Sequence, residues 1–440
     1  MLMLLGYLMV ATFMILIMTR RLSALVALIL VPLIFGVVAG HGADLGPMAV
    51  DGLAKLAPTA ALLLFAVLFF AIMIDAGLFE PLVTRILRFA GDDPVRVAVG
   101  TAMMASVVSL DGDGATTALI TITAFLPVYR RLGMNPLVLA VILASANTVI
   151  NLAPWGGPTG RVAAALRLDV ADVFVPLLPA MVAGIVATFG IAWYLGRAER
   201  RRLAAAPGGG SSPSTDSASI VAPLIGGEVD AATAALRRPR LFVVNLLLTI
   251  AVIGLAVLHI VPLPLVFMVG LSIALMVNYP RLNDQRDRLA AHAATALPIL
   301  ILILAAGVFT GVMAGTGMVD AMAKGAMTTI PPSLGPWLGP ITAFMAAPLT
   351  FALSNDAFYF GVVPVIAQTA AQYGIAPVEI GRASLLAQPI HALSPLLAAL
   401  YFSSGLLGVD VGALQRFALK WACLLTLVLI ATAWLTGAIT

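Results

Sequence analysis

Two short stretches of this 440-residue chain place aspartates where nearly everything around them is apolar. The first reads Ser109-Leu110-Asp111-Gly112-Asp113-Gly114-Ala115-Thr116-Thr117, and the second Leu353-Ser354-Asn355-Asp356-Ala357-Phe358. An ionisable side chain between long apolar segments costs roughly 2.5–3.5 kcal/mol to insert. Asp111, Asp113 and Asp356, with His391 in the second half, bring the cost to about 10 kcal/mol on that scale. A cost of that size points to a site for an ion and a polar ligand. Gly112 and Gly114 let the backbone turn sharply and approach a ligand closely. Thr116 and Thr117 open the next half-helix, whose N-terminal amides favour anions. The first tip thus offers carboxylates to a cation and amides to an anion; a capped turn with solvated aspartates is the alternative. In the second tip Ser354 and Asn355 are also good N-caps, and Phe358-Tyr359-Phe360 reads as packing or as lipid-facing.

Two further elements interrupt apolar helices. The first runs from Ser145-Ala146-Asn147-Thr148 through Asn151-Leu152-Ala153-Pro154-Trp155-Gly156-Gly157-Pro158-Thr159. Its prolines and glycines cannot continue a helix, so freed carbonyls are available to a cation, and Asn147 or Asn151 to a carboxylate. A helix end before a loop is the plainer reading. Arg161 follows, suited either to a bidentate grip on a substrate carboxylate or to a membrane interface. The second element is Gln388-Pro389-Ile390-His391-Ala392-Leu393-Ser394-Pro395. His391 suits proton coupling or a neutral, hydrogen-bonded structural role. Asp75 and Glu80 read as interfacial. No Cys/His set has zinc spacing and no nucleotide loop is present.

The elements that must position these residues are transmembrane helices. Hydrophobic residues make up 61% of the chain and charged residues 10%, against about 25% charged in a soluble domain, and the mean hydropathy is +1.08. Apolar segments fall near 2–18, 22–40, 59–76, 97–110, 115–128, 136–153 and 174–196, then near 241–259, 263–279, 297–314, 337–353, 357–371, 383–400 and 417–437. Runs of this kind imply an all-α polytopic membrane protein. The net charge of +4 comes with arginines in inter-helix loops and gives no reason to expect nucleic acid. The lone Cys423 excludes an internal disulfide.

A polar linker, 198–240, separates a first half, 1–197, from a second, 241–440. Its Gly208-Gly209-Gly210-Ser211-Ser212-Pro213 tract reads as a flexible loop, and its arginine-rich ends place it in the cytoplasm of a plasma (inner) membrane protein. The halves repeat at an offset of about 240 residues: 2–40 against 241–279, the Asp113 region against Asp356, the Pro154 region against Pro395. Basic loops after the first helix and around 281–288 put equivalent helices in opposite directions, the inverted-topology repeat of secondary transporters. That assignment requires 97–128 and 337–371 to be re-entrant helical hairpins with the acidic motifs at their tips, leaving about five full crossings per half. Loop 41–57 is then expected outside.

These ligands suit a hard cation such as Mg²⁺ or Ca²⁺, whereas a free polycarboxylate would want several Arg or Lys. A metal–carboxylate complex resolves the mismatch: Asp111, Asp113 and Asp356 meet the metal, and amides and half-helix ends take the remaining carboxylates; the alternative is that some of these aspartates bind the coupling cation or proton. A proton- or sodium-coupled carrier of a free di- or tricarboxylate is the alternative. The helix breaks and the repeat argue against an intramembrane aspartyl protease, and thus against an enzyme.

The strings LDGDGATT, NLAPWGGPTGR, LSNDAFYFGVVPV and GRASLLAQPIHALSP resemble the citrate–metal:proton symporter family (CitMHS) of the ion transporter superfamily. The resemblance implies proton-driven uptake of citrate complexed to a divalent metal, with no permanently bound cofactor. It implies a homodimer in the lipid bilayer, with a scaffold domain and an elevator-like transport domain that carries the hairpins. It also implies that ligand binding maps onto Asn355 and its neighbours Ser354 and Asp356, the run Asp111 to Thr117, Asn151 and Ser394. Leu397-Ala398-Ala399 stands where the family pattern has small hydroxyl residues.

Overall fold

The computed structural model describes residues 1–112, 114–205, 235–258, 260–327 and 331–439. Asp113 and most of the linker, including its Gly/Ser tract, lie outside the described residues. Among those described, the chain is entirely helical, and six helices are long and apolar enough to cross a membrane. The protein is therefore a multi-pass, all-α membrane protein.

The first half holds α1 (Leu2–Met18), α2 (Ala24–Val38), α3 (Leu45–Asp75), α4 (Glu80–Ala90), α5 (Pro94–Val108), α6 (Gly114–Leu132), α7 (Pro136–Ile150), α8 (Gly157–Leu166), α9 (Val170–Phe174) and α10 (Leu178–Ala204). The second holds α11 (Phe242–Leu258), α12 (Leu263–Asn278), α13 (Leu282–Gly315), α14 (Met318–Met327), α15 (Leu338–Ala352), a turn of π-helix (Ala357–Val362) leading into α16 (Val363–Ala371), then α17 (Pro377–Leu385), α18 (Gln388–His391), α19 (Ala398–Leu407) and α20 (Val411–Leu435).

The two series run in parallel. α1 and α11 are both 17 residues long, and α8 and α19 both 10. Pro58 lies inside α3 and Pro298 inside α13. Gly77 and Gly317, at φ +82° and +71°, turn the chain after those helices. Asp169 caps α9 and Asp410 caps α20, each accepting a backbone N–H.

Several boundaries differ from the hydropathy reading. The segment near 59–76 is the second part of the 31-residue α3, so most of the expected loop 41–57 is helical. The segment near 297–314 likewise belongs to the 34-residue α13, which begins at Leu282. Hydropathy sees only apolar windows, whereas these helices carry Asp51, Lys55, Arg286 and Arg288 on extensions beyond their proline. The segment near 383–400 is not one helix but three short ones, because Pro389 and Pro395 interrupt the backbone ladder.

α3 and α13 form the most extensive helix pair. Their backbones nearly touch: a Cβ on Gly52 would lie 1.9 Å from the Gly307 carbonyl oxygen, and one on Gly311 would lie 2.3 Å from that of Met48. Without a hydrophobic drive between helices in lipid, such close packing is what holds them together. The α5–α6 hairpin packs through α5 on α4 and α10, whereas its second-half counterpart packs through the π turn and α16 on α1 and α14. Beyond α10's apolar span, Arg200 grips Asp93 through Nε and Nη2 (3.1 and 2.5 Å). Partial burial pushes the Asp93 carboxyl up, but Arg200 and the Val95 amide outweigh it and hold it below the ordinary carboxylate range.

Candidate functional site

The first tip is built by a helix that cannot continue. α5 tightens into a 3₁₀ turn at Ser109–Asp111, and Gly112 then takes φ +77°, a left-handed conformation that a side chain would strain. Asp111 and Ser109 are buried. Asn147 Nδ2 donates to Ser109 Oγ (3.1 Å), and Asn151 Nδ2 donates to Asn147 Oδ1 (3.1 Å). The indole of Trp155 donates to the Leu110 carbonyl at 2.8 Å. Its ring is fixed against Phe70 and Phe267, with centroids 5.2 and 5.3 Å away. Asn147 stands in the last turn of α7, and Asn151 and Trp155 in the broken stretch between α7 and α8. There a Cβ on Gly156 would sit 1.9 Å from the Asn151 carbonyl oxygen, so only glycine fits. Thr159 Oγ1 donates to the Leu152 carbonyl (3.0 Å), which closes the break from its far side.

The second tip begins where α15 ends and Leu353 becomes extended. Ser354 Oγ accepts the Ala357 amide at 3.2 Å, the capping role its residue type suggested. Asp356 follows, and the chain enters the π turn, a distortion that recurs at functional sites. Phe358, Tyr359 and Phe360 are fully buried, which settles them as packing. Helix ends leave carbonyls without partners; here His391 Nδ1 meets the Thr350 carbonyl at 2.7 Å, and Ser394 Oγ donates to that of Phe351 at 2.8 Å. A carbonyl only accepts, so His391 carries a proton on Nδ1. Gln388 Nε2 donates to the Tyr359 hydroxyl (2.7 Å). The polar atoms of Gln388 and Ser394 that hydrogen-bond thus hold the second tip together.

An ion pair joins the tips' surroundings across the two halves: Arg161 Nε donates to Asp356 Oδ1 at 2.7 Å. Arg161, Gly157, Trp155 and Gly112 form one wall of a cavity of about 250 Å³; the facing wall is apolar, from Val67 on α3 and Ile299 on α13 with their neighbours. The structure thus brings Gly112, Gly157, Arg161 and Asp356 together beside one small cavity. Gln388, His391 and Ser394 stand behind the second tip. Among the described residues, no group of three or more His, Cys, Asp or Glu could hold a metal ion.

Four buried polar atoms near the tips lack a hydrogen-bond partner among the described residues: Thr117 Oγ1, Thr121 Oγ1, Asn151 Oδ1 and Asn355 Oδ1. Buried polar groups are normally satisfied, so their concentration here calls for a ligand or water. Thr121 and Trp155 were missed as site residues in the sequence. Thr121 lies one turn beyond Thr117 on α6, a spacing that puts both on one helix face, whereas nothing local marks the indole as a donor to a tip 45 residues away.

The chain is similar to known transporters over its whole length. A profile of the citrate transporter family matches residues 4–387. A citrate transporter of Bacillus subtilis (strain 168) is 50% identical over 439 residues, covering 100% of both chains. A Mg(2+)/citrate complex secondary transporter of the same organism is 44% identical, covering 100% of this chain and 99% of its own. The fold is similar to two solved structures at 15% identity. The YdaH transporter of Alcanivorax borkumensis gives a TM-score of 0.56 over 90% of this chain and 88% of its own. MtrF of Neisseria gonorrhoeae gives 0.57 over 90% and 84%.

Proposed function

The chain belongs to the citrate transporter family (CitMHS), and we propose on that premise that it imports citrate as a complex with a divalent metal ion, Mg²⁺ or Ca²⁺, coupled to protons. It is a secondary transporter of citrate, not an enzyme. The observation that carries the metal is the Arg161–Asp356 pair beside the cavity. A site with one fixed cation and one fixed anion suits a ligand that itself presents both. The similarity to a protein named for the Mg(2+)/citrate complex points the same way.

Asp356, Asp111 and Asp113 take the metal. Arg161, the α6 amides beside Gly114, Thr116 and Thr117, and the amides of Asn147, Asn151 and Asn355 take citrate oxygens. The orphaned Asn151 and Asn355 Oδ1 atoms are acceptors, suited to the metal or to the citrate hydroxyl. Ser109 and Thr159 shape the broken backbone, and Gly156 and Gly157 let it come close. His391 Nε2 is the group that exchanges the coupling proton. The two halves have inverted topology, each with one re-entrant hairpin, α5–α6 and α15–α16. The hairpins and broken helices move as a transport domain against a scaffold of α1–α3 and α11–α13. The protein is a homodimer in the inner membrane, with its linker in the cytoplasm. The parallel series of helices and the short hairpin arms, 15 residues for α5 and for α15, support this arrangement.

Uptake of radiolabelled citrate into proteoliposomes under an inward proton gradient tests the reading. It requires Mg²⁺ or Ca²⁺, stops with a chelator, and collapses with a protonophore. Uptake that ignores the chelator would instead identify a carrier of the free carboxylate.

A further inference from the structure

We propose that the Arg161–Asp356 ion pair is an exchangeable latch that makes metal and citrate bind only together. The inference rests on the metal–citrate reading above and adds a device that neither the family nor the fold supplies.

The pair is made for opening. A permanent Arg–carboxylate pair is commonly bidentate, yet here a single N–H···O bond joins Nε to Oδ1. Neither Arg161 Nη atom and no second Asp356 oxygen makes another hydrogen bond among the described residues, and the two side chains stay 25% and 21% exposed. Arg161 lines the cavity, whose facing wall is apolar. The guanidinium edge and the second carboxylate oxygen are therefore reachable by a ligand without any other contact breaking.

Charge balance then dictates what can enter. Free citrate could take Arg161 only by leaving Asp356 uncompensated beside its own carboxylates. A bare divalent cation could take Asp356 only by leaving Arg161 unpaired beside a second positive charge. Uncompensated charges in a partly buried, low-dielectric site are strongly disfavoured. The complex avoids both outcomes: its metal meets Asp356, its carboxylate meets Arg161, and each charge keeps a partner throughout. When no complex is bound, the two residues satisfy each other. The latch occurs once, because the position equivalent to Arg161 in the second half is Phe402. It also bridges the two halves, joining α8 to the second tip.

Calorimetry on the purified, full-length protein tests this, with MgCl₂ or CaCl₂ alone, metal-free citrate alone, and the equimolar mixture. The wild type binds the mixture at least about tenfold more tightly than either component. Asp356→Asn releases Arg161, so metal-free citrate binds about tenfold more tightly than to the wild type and metal improves it less than in the wild type. Arg161→Gln releases Asp356, so metal alone gains in the same proportion and citrate improves it less than in the wild type. Arg161→Lys, which keeps the charge, retains the wild-type dependence on both components. A structural ion pair would lower all affinities together, and loss without either reciprocal gain overturns the latch. Should the neutral variants not fold, independent binding of metal and citrate to the wild type overturns it alone. Failure of the wild type to bind the mixture overturns both the latch and the metal–citrate reading.

Discussion

The two acidic tips solve one structural problem with different chemistry. Both begin where an apolar helix stops inside the protein and leaves carbonyls unmatched. At the first tip, neutral donors from the same half do the work: Trp155 on the Leu110 carbonyl and Asn147 on Ser109. At the second, His391 and Ser394 take the Thr350 and Phe351 carbonyls, and a charge from the opposite half holds Asp356. The first tip is thus anchored within its own repeat. The second is anchored within its repeat at the helix end but across the molecule at its carboxylate. The two tips share a broken helix, and the second adds an ion pair.

This contrast is open to test, beginning with the largest effect. Asp356→Asn lowers citrate uptake by about 100-fold or more, the equivalent of about 3 kcal/mol for an uncompensated charge. Asp113→Asn does the same through loss of a metal ligand; membrane insertion of both is checked by protease accessibility. Normal uptake by either variant removes that residue from the site. Next, Trp155→Phe strands the Leu110 carbonyl at about 1–3 kcal/mol, so uptake falls about tenfold and thermal stability drops with it. Ser394→Ala strands one carbonyl without disturbing an aromatic cluster, and a smaller loss in the same assays is expected; equal losses would mean that the indole's packing is immaterial. Gly112→Ala puts a Cβ on a left-handed residue at about 1–2 kcal/mol. It slows transport with little change in citrate affinity, as seen by comparing maximal rate with half-saturation. Smallest is His391→Gln, which still donates to the Thr350 carbonyl but cannot titrate. It preserves folding and flattens the dependence of uptake on the pH gradient, and an unchanged profile would leave His391 as a helix-end partner only.

Much of this was legible in the sequence because its signals are local. Asp111, Gly112 and Asp356 announce themselves as polar or flexible residues in apolar surroundings, and the breaks at 154–158 and 389–395 follow from proline and glycine alone. Some helix lengths, proline positions and aspartate caps match between the halves. What could not be read locally was pairing. Arg161 and Asp356 are 195 residues apart, and nothing on either side of Arg161 distinguishes a site residue from an interfacial one. The roles of Ser394 and Gln388 were hidden for the same reason, since a donor's partner depends on which helix end packs beside it. The lengths of α3 and α13 were underestimated because charged residues interrupt hydropathy without interrupting a helix.

The central claim is that metal and citrate cross as one particle, and a dual-label flux measures that directly. Proteoliposomes are loaded from outside with ¹⁴C-citrate and a radioactive isotope of the metal that supports uptake, under an inward proton gradient. The account predicts that both labels enter at a fixed ratio near one to one, and that removing either abolishes entry of the other. Citrate entering with no accompanying metal would contradict it.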